Sequence, residues 1–312
     1  MTQHIAIGVS SFGTENDEPL RLLKKSGCEI VPNPFGRRLN EEEIIQHLHN
    51  VDGLIAGLEP LNRKVLSGAK SLKAIARVGI GMDNVDLDAS TEFGIKVSNT
   101  PDGPTEAVAE LTLTALLAMC RNLIPANAKL HHKLWDKTIG TGVRGLNVLI
   151  VGFGRIGKKF AEHVRMLGGN ILIHDPFQTG TEKKFISLEE GLKMADVISL
   201  HASGKETLFS EKQFALMKPG ILLLNSARAE LVDEKALLEA LKNGIVRNAW
   251  FDVFWKEPYT GPLTEMESVI LTPHVSTYTK QCRLSMEVNA VQNLLRDLKI
   301  PAPSVIPAKA GI

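Results

Sequence analysis

The sequence predicts an α/β fold built from two doubly wound parallel-sheet domains with a cleft between them. Strand-like apolar runs alternate with helical patterns along most of the chain, which is the order of a parallel sheet covered by helices. One stretch, residues 146–175, has the order strand, glycine turn, helix, strand and acidic residue. The length of 312 residues allows about two domains. We expect one domain of residues 1–99 and 280–312, and a second of residues 100–279.

The first hundred residues predict one α/β unit. Its first helix is expected at Glu18–Lys25. Its strands are expected at residues 5–9, 29–31, 54–56, 72–76 and 95–98. Asn40 can cap a further helix, because Glu43 stands three residues later and completes a capping box. Ligands bind near the carboxyl ends of strands in such sheets, where Gly57 and Gly79 stand.

Residues 105–121 predict a helix that is apolar on nearly every side. Such a helix must be buried on several sides. It can be an ordinary core helix, or it can lie between domains or at a subunit interface. The pattern leaves these alternatives open.

The stretch from residue 146 to residue 175 begins with a strand over Asn147–Val151. The glycine turn GFGRIG follows at once at residues 152–157. Apolar residues at helical spacing predict a helix over residues 158–167, and residues 171–174 form a second strand that ends at Asp175.

Each glycine of this turn has a physical role beside a pyrophosphate. Gly152 permits a tight turn, Gly154 lets the backbone approach the phosphates, and Gly157 lets the helix pack close to the strand. Free N–H groups at the start of the helix stabilise the phosphate charge. Asp175, which lies 18 residues after Gly157, is placed to accept hydrogen bonds from a ribose 2′-hydroxyl and would repel a 2′-phosphate. The sequence therefore predicts NAD as the cofactor rather than NADP.

The alternation resumes after Asp175. Helices are expected at Leu188–Met194 and at residues 211–217, 236–241 (capped by Asp233) and 278–298. Strands are expected at Val197–Leu200, Ile221–Asn225, residues 246–253 and Val269–Leu271.

The composition and charge of the chain argue against several classes of protein. Charged residues make up 23% of the chain, the net charge is +1, and no basic run suggests nucleic acid. The three cysteines (Cys28, Cys120 and Cys282) are far apart, which argues against a disulfide framework or a metal site. The N-terminus does not resemble a signal peptide, and no apolar run reaches transmembrane length. We expect a cytoplasmic protein with no nucleic-acid or membrane partner.

Polar residues follow three strands of the second unit. Arg228 follows the run at residues 222–227, Asp252 and Glu257 follow Trp250-Phe251, and His274 follows residues 271–273. An arginine can bind a carboxylate through two hydrogen bonds, and a histidine can take a hydroxyl proton near neutral pH. A glutamate beside the histidine favours its protonated form. Near a nicotinamide, this set is the one needed to oxidise a 2-hydroxy acid, although each residue taken singly is more often structural.

In these residues and in their order the chain resembles the D-2-hydroxyacid dehydrogenases, and within them the short phosphoglycerate-dehydrogenase-like members. The matching stretches are residues 78–86 (VGIGMDNVD), 99–101 (NTP), 108–110 (VAE), 152–157, 217–220 (MKPG), 225–228 (NSAR), 231–234 (LVDE), 252–254 (DVF), 257–258 (EP) and 272–274 (TPH). The resemblance implies two Rossmann-like or flavodoxin-like domains, with the substrate domain split between the N-terminal unit and the last segment of the chain.

The resemblance also implies catalytic and substrate-binding roles. Arg228 would hold the substrate carboxylate and carbonyl oxygen. His274 would be the general base in oxidation and the acid in reduction, paired with Glu257. The backbone amides of Val78 and Gly79 would contact the substrate carboxylate.

The cofactor site follows from the same resemblance. Asp252 would face the nicotinamide carboxamide, and Arg155 and Ile156 would face the pyrophosphate. The expected NAD-binding residues are Gly152, Gly154, Arg155, Ile156, Gly157, Asp175, Ala227 and Asp252. No metal is expected.

The sequence leaves more than one substrate possible. By resemblance, 3-phosphoglycerate leads, and glyoxylate, hydroxypyruvate or another 2-keto acid is the alternative. Arg37 and Arg38 can supply charge for a phosphate or form a solvated surface pair. Two other functions remain: an NAD-sensing binding protein like the C-terminal binding proteins, and a formate dehydrogenase. The latter family carries Gln where Glu257 stands.

The family's dimers form largely through the helical region that residues from Thr105 to Trp135 match, so a homodimer is expected. The chain departs from the family at Ala229, where Gly is usual, and in a shortened loop from His201 to Lys205. Because the chain ends soon after its last helix, a C-terminal regulatory domain with feedback by serine is not expected.

Overall fold

The computed structural model describes residues 2–177, 185–204 and 206–303. The chain forms two compact units: unit 1 is Met1–Pro104 with Tyr278–Ile312, and unit 2 is Thr105–Thr277. These units divide the chain at residues 104 and 277, whereas the sequence suggested residues 99 and 279. Lys205 of the shortened loop and residues 304–312 of the predicted substrate domain lie outside the described residues.

Unit 1 is built on a five-stranded parallel sheet of order β2-β1-β3-β4-β5. Its strands are β1 (His4–Ile7), β2 (Glu29–Val31), β3 (Gly53–Ala56), β4 (Ala74–Arg77) and β5 (Lys96–Asn99). Its helices are α1 (Glu18–Lys25), α2 (Glu41–His47), α3 (Arg63–Gly68), α4 (Leu87–Glu92) and, from the end of the chain, α11 (Lys280–Asp297). The last helix packs against β3, β4 and β5, so the end of the chain completes the first unit.

Capping side chains mark the positions at which three helices of unit 1 begin. Asn40 accepts a hydrogen bond from the Glu43 amide, and the Glu43 carboxylate accepts one from the Asn40 amide, which is the predicted capping box. The helices α3 and α4 were not predicted from the sequence. Each has six residues, and each begins after a side chain that caps it, Asn62 or Asp86. Helices of this length show too little periodicity to stand out from a sequence.

Unit 2 is built on a six-stranded parallel sheet of order β11-β10-β9-β8-β6-β7. Its strands are β6 (Asn147–Val151), β7 (Asn170–His174), β8 (Val197–Leu200), β9 (Ile221–Asn225), β10 (Val246–Phe251) and β11 (Val269–Leu271). Its helices are α5 (Pro104–Cys120, with Pro104 assigned to unit 1), α6 (Leu123–His131), α7 (Arg155–Met166), α8 (Leu188–Met194), α9 (Glu211–Phe214) and α10 (Glu234–Lys242). The two predicted parallel sheets are therefore confirmed.

The helix expected at residues 211–217 ends at Phe214. The amides of Leu216 and Met217 bond three residues back, to Gln213 and Phe214. These tighter turns end the α-helix before Pro219, because a proline disfavours helical backbone at the residue that precedes it.

The apolar helix α5 is buried on most sides, and only Glu106, Glu110, Thr114 and Leu117 are exposed along one stripe. The helix α6 differs, since no residue of it is buried in the part of the chain that the structure describes. Among the described residues no single helix is long and apolar enough to cross a membrane. The pair α5 and α6, bent by 63° at a short break, reaches that length and composition only together.

Candidate active site

The predicted catalytic residues follow three neighbouring strands of the unit 2 sheet. Arg228 follows β9, Asp252 and Glu257 follow β10, and His274 follows β11. The strands β9, β10 and β11 are adjacent and parallel. Their carboxyl ends therefore lie along one edge of the sheet, the usual position of ligands in this architecture.

His274 and Glu257 form a hydrogen-bonded pair. The Nδ1 atom of His274 lies 3.0 Å from each carboxylate oxygen of Glu257, and the two side chains are 41% and 27% exposed. A carboxylate can only accept, so Nδ1 carries the proton in this pair. In the neutral ring the other nitrogen, Nε2, is then the proton acceptor. The pair thus holds the tautomer that a general base requires.

The side chain of Glu257 and the backbone of His274 are also held. Oε1 of Glu257 accepts a hydrogen bond from the amide of Phe254 at 3.2 Å. The amide of His274 donates to the carbonyl oxygen of Thr272 at 2.9 Å, and His274 has a φ of 55°. A positive φ is uncommon for a residue other than glycine and often occurs at functional sites.

Asp252 is buried and fully engaged by the loop that carries His274. Its exposed fraction is 1%. Oδ1 accepts hydrogen bonds from the Thr272 hydroxyl (2.6 Å) and the Val275 amide (2.9 Å), and Oδ2 accepts from the amide (2.9 Å) and hydroxyl (2.5 Å) of Ser276. The contact of this carboxylate with the nicotinamide carboxamide, expected from the sequence, stays a prediction. In the structure the carboxylate also holds the loop at Thr272, Val275 and Ser276, which no local sequence pattern indicated.

Arg228 follows a turn shaped by the buried Asn225. The side chain of Asn225 accepts from the amide of Ala227 at 3.0 Å and donates to the carbonyl of Arg228 at 2.9 Å. The guanidinium of Arg228 donates to the carbonyl of Ala227 at 2.8 Å. Ala229, in place of the usual glycine, is buried and begins a short 3₁₀ turn, so its methyl group is accommodated.

The glycine turn has the shape of a phosphate cradle. Gly152 has a φ of 92°, and a Cβ there would lie 2.5 Å from the Ala202 amide nitrogen. A Cβ on Gly157 would lie 2.2 Å from the carbonyl oxygen of Gly152, whereas a Cβ on Gly154 would meet no described atom within 4 Å. Helix α7 begins at Arg155, and its N-cap residue Gly154 provides no side-chain cap among the described residues. Open space and uncapped N–H groups at a helix start fit a pyrophosphate.

Asp175 lies against the same turn. Its Oδ2 accepts a hydrogen bond of 2.8 Å from the amide of Phe153, and its Oδ1 accepts one of 2.9 Å from the amide of Phe177. The acidic residue predicted from its spacing is therefore adjacent to the phosphate cradle, where a ribose would follow the pyrophosphate.

In unit 1 the amides of Val78 and Gly79 already have partners. The Val78 amide donates to the carbonyl of Ala56 at 2.9 Å, and the Gly79 amide donates to the Thr100 hydroxyl at 2.8 Å. Their predicted contact with a substrate carboxylate stays a prediction, and it would have to replace or share these hydrogen bonds, because an N–H group makes one good hydrogen bond.

The cation nearest to Gly79 is Arg77, which was not predicted as a site residue. Its Nη1 donates to the carbonyl of Val78 at 2.6 Å, and a Cβ on Gly79 would lie 1.5 Å from that nitrogen. Gly79, whose φ is 132°, therefore leaves the space in which the guanidinium lies.

Arg37, proposed above as a phosphate ligand, is paired within unit 1. Its guanidinium donates to both carboxylate oxygens of Glu43, at 2.6 and 2.9 Å, and stacks over Phe35.

Another acidic residue of unit 1, Glu59, is buried at the carboxyl end of β3 and accepts hydrogen bonds from the Gly57 amide. Burial raises the pKa of Glu59, opposed by its hydrogen bonds and by the charges of Arg77 and Arg38. Among the described residues no group of three or more His, Cys, Asp or Glu side chains could hold a metal ion.

Comparison with known proteins identifies relatives of both units. Residues 113–276 match the family described as D-isomer specific 2-hydroxyacid dehydrogenase, NAD binding domain. The chain is 37% identical to the D-3-phosphoglycerate dehydrogenase of Methanocaldococcus jannaschii, over 86% of this chain and 53% of that protein. It is 33% identical to the glyoxylate reductase of Thermococcus litoralis, over 83% of this chain and 84% of that protein.

The fold is shared along nearly the whole chain. The crystal structure of the TT0316 protein from Thermus thermophilus superposes with a TM-score of 0.88 at 34% identity, covering 97% of this chain and 100% of that one. In contrast, the chain spans 59%, 53% and 57% of the length of the D-3-phosphoglycerate dehydrogenases of Archaeoglobus fulgidus, Methanocaldococcus jannaschii and Bacillus subtilis.

Proposed function

Because the chain belongs to the D-2-hydroxyacid dehydrogenase family, we propose that it is an NAD-dependent oxidoreductase that interconverts a D-2-hydroxy acid and the corresponding 2-keto acid. The observation that carries this proposal is the pair of His274 and Glu257, on the same sheet edge as Arg228. A base, its orienting carboxylate and a cation for the substrate are what this chemistry asks of the protein.

The cofactor is NAD, which accepts a hydride from C2 of the hydroxy acid when it is bound. The cradle of Gly152, Gly154 and Gly157, with the start of α7, would hold its pyrophosphate. Asp175 would hold its ribose. Arg155, Ile156, Ala227 and Asp252 are further proposed cofactor contacts, and Val78 and Gly79 are proposed substrate contacts.

The residues of this chain would move the proton and orient the substrate. In oxidation, Nε2 of His274 would take the hydroxyl proton, and Glu257 would stabilise the imidazolium that results. In reduction the same imidazolium would return the proton to the carbonyl oxygen. Arg228 would bind the substrate carboxylate and polarise the carbonyl at C2 of the keto acid, which favours hydride transfer to that carbon.

Two substrates are supported by different observations. The relatives named D-3-phosphoglycerate dehydrogenase favour 3-phosphoglycerate, which we propose first. The relative named glyoxylate reductase, most of whose length this chain covers, favours glyoxylate or hydroxypyruvate as the alternative. Since Arg37 is tied to Glu43, a phosphate group would have to rely on Arg38 or Arg77.

We further propose that the chain works as a homodimer through the region from Thr105 to Trp135. Large apolar side chains are exposed in and just after α6, which is unusual for a free surface. These are Leu123, Ile124, Leu130, Leu134, Trp135 and Ile139. A second copy of the chain would cover them. The cytoplasmic location expected from the sequence stays a prediction.

The function is tested by following NADH with a panel of D-2-hydroxy acids and, in reverse, of 2-keto acids. Wild type should turn over at least one acid. His274→Ala should abolish turnover while NADH still binds, and Glu257→Gln should lower kcat because it removes the charge that stabilises the imidazolium. Arg37→Gln is the matched surface control and should retain activity on glyoxylate.

The outcomes separate the candidates. Turnover of 3-phosphoglycerate far above the other acids would support the first substrate, and turnover of glyoxylate or hydroxypyruvate alone would support the alternative. If no acid reacts while NADH binds tightly, the proposal fails in favour of an NAD-sensing binding protein. Full activity of His274→Ala would remove His274 from its role.

A further inference from the structure

The loop that follows β10 is tied to the segment that follows Arg228 at the end of β9. The indole Nε1 of Trp255 donates to the carbonyl oxygen of Val232 at 2.9 Å. The hydroxyl of Tyr259 donates to Oε1 of Glu234, the first residue of α10, at 2.5 Å. The loop carries the carboxylate partner of the proposed base, and Arg228 is the proposed cation for the substrate. These two hydrogen bonds therefore join two parts of the proposed site.

The hydroxyl of Tyr259 has a defined direction. The amide of Leu263 donates to its oxygen at 3.2 Å. A backbone amide can only donate, so the single hydroxyl proton points to Glu234. Burial, followed by the hydrogen bond to Glu234, raises the pKa of Tyr259 to about 12. The phenol therefore stays protonated near neutral pH and remains a hydrogen-bond donor.

The ring of Tyr259 packs on the residue that holds the carboxylate of Glu257. It stacks on Phe254 with the ring centroids 4.6 Å apart and the planes at 21°. The amide of Phe254 donates to Oε1 of Glu257 at 3.2 Å. Gly261 permits this packing, because a Cβ there would lie 2.5 Å from the hydroxyl oxygen of Tyr259. The tyrosine thus reaches Glu257 through one aromatic neighbour.

We propose that Tyr259 is a positioning residue that keeps Glu257 within reach of His274. The hydroxyl fixes the loop on α10, and the ring fixes the backbone of Phe254 under the carboxylate. This inference rests on the proposed role of His274 as the base. Tyr259 would act through the loop rather than by contact with the substrate.

The experiment separates the hydroxyl from the ring. Tyr259→Phe removes the hydroxyl alone and should lower kcat about tenfold. Tyr259→Leu also removes the stacking and should lower kcat about 100-fold, because a displacement of about 1 Å can cost that much rate. The KM for the keto acid and the Kd for NADH should stay within about threefold of wild type, since the residues proposed to bind them keep their places.

The partner of the hydroxyl provides a test of rescue. Glu234→Gln keeps an oxygen that accepts from Tyr259, so its kcat should stay close to that of wild type. Glu234→Leu removes the acceptor and should lose as much kcat as Tyr259→Phe. The double variant with both changes should lose no more than either single variant, because both remove the same hydrogen bond. Additive losses would overturn the inference.

Lys218→Met is the control for hydrogen bonds lost elsewhere in unit 2. Lys218 precedes β9, at the amino end of the sheet, and its Nζ donates to the Met194 carbonyl at 2.6 Å and to Asp196 Oδ1 at 3.0 Å. This variant should keep the kcat of wild type despite a loss of thermal stability. Unchanged kcat in both Tyr259 variants would overturn the inference. So would a Kd for NADH that rises in step with the loss of kcat.

A crystal structure of Tyr259→Leu separates this inference from the proposed function. The Phe254 amide should lose its bond to Glu257, and Nδ1 of His274 should lie more than about 3.5 Å from both carboxylate oxygens. This change is expected even if wild type turns over none of the acids, an outcome that would refute the proposed function alone. Where the leucine variant does not fold, faster hydrogen exchange at the Phe254 amide in Tyr259→Phe is the equivalent result. An unchanged pair of Glu257 and His274, or unchanged exchange, would overturn the inference whatever the activity.

Discussion

The carboxylate of Asp175 accepts a hydrogen bond of 2.8 Å from the amide of Phe153, inside the glycine turn. The acidic residue at the end of β7 therefore fixes the turn at the end of β6, 22 residues earlier in the chain. The side chain that holds the glycine turn in shape also carries the charge that, in the proposed cofactor site, would disfavour a 2′-phosphate.

These two roles can be separated by substitution. Asp175→Asn keeps an oxygen for the Phe153 amide but loses the charge, so the thermal stability should change little. The Kd for NADH should rise about 10- to 100-fold, the usual effect of losing a charged hydrogen bond, while binding of NADPH should improve. The measurement is the Kd of both dinucleotides by nicotinamide fluorescence. An unchanged ratio of the two Kd values would contradict a role of Asp175 in choosing NAD.

Substitution by alanine is expected to have different effects at two glycines of the turn. Gly157→Ala would place a Cβ 2.2 Å from the Gly152 carbonyl oxygen, so it should lower the free energy of unfolding by about 1–3 kcal/mol through overpacking. Gly154→Ala would meet no described atom within 4 Å, so it should fold normally. It should bind NADH about tenfold more weakly, because its methyl group would enter the space proposed for the pyrophosphate. Thermal unfolding and NADH titration of both variants check this; normal NADH binding by Gly154→Ala would argue against the cradle.

The buried ring of His201 is expected to make the folded protein less stable in acid. Its Nε2 lies 2.8 Å from the Ser199 hydroxyl and its ring packs on Phe160, and burial lowers the pKa of His201 to about 3. The unfolded chain takes up this proton below about pH 6.5, whereas the folded chain does not, so stability falls as the pH falls from about 6.5 toward 3. The contribution lost at pH 5 is at most about 2 kcal/mol.

Urea unfolding at pH 7 and pH 5 measures this effect. His201→Gln should lose less stability between the two pH values than wild type, because the amide does not titrate. His131→Gln, an exposed histidine on α6, is the control and should behave as wild type does. Equal acid losses in wild type and His201→Gln would exclude His201 as the cause.

The exposed apolar side chains of α6 and its continuation predict the oligomeric state. Trp135, which is 80% exposed, should be buried by a second copy of the chain. Trp135→Glu should then shift the protein toward the monomer, since a carboxylate resists burial in an apolar interface. Light scattering after size-exclusion chromatography measures the mass. Lys137→Glu changes the charge nearby and should leave the dimer intact; a wild-type monomer at high concentration would contradict the proposal.

The sequence predicted those elements whose signal is local. The strand Asn147–Val151, the glycine turn and the capping box of Asn40 with Glu43 depend on residues within a few positions of one another. The short helices α3 and α4 were missed, because six residues contain too little periodicity to distinguish them from a turn. The strand-end positions of Arg228, Glu257 and His274 followed from the alternation, and the order of the sheet made these ends neighbours.

Other features of the site depend on partners that are far away in the chain. The amides of Val78 and Gly79, which the resemblance assigns to a substrate carboxylate, donate to Ala56 and Thr100 in the fold. That pairing is set by the register between β3 and β4 and by the approach of the segment after β5, which no local pattern reveals. Arg37 was likewise available in the sequence and is engaged by Glu43 in the fold.

The sequence by itself determined the fold class, the glycine turn and the kinds of side chain at the strand ends, because periodicity, glycine and charge act over short spans. Only the tertiary structure decided which atoms meet. It brought His274 Nδ1 onto Glu257 and closed the loop at Thr272 and Ser276 onto the buried Asp252. The physical reason is that hydrogen-bond partners in a buried site are chosen by distance and direction, which are defined once the strands have taken their places in the sheet.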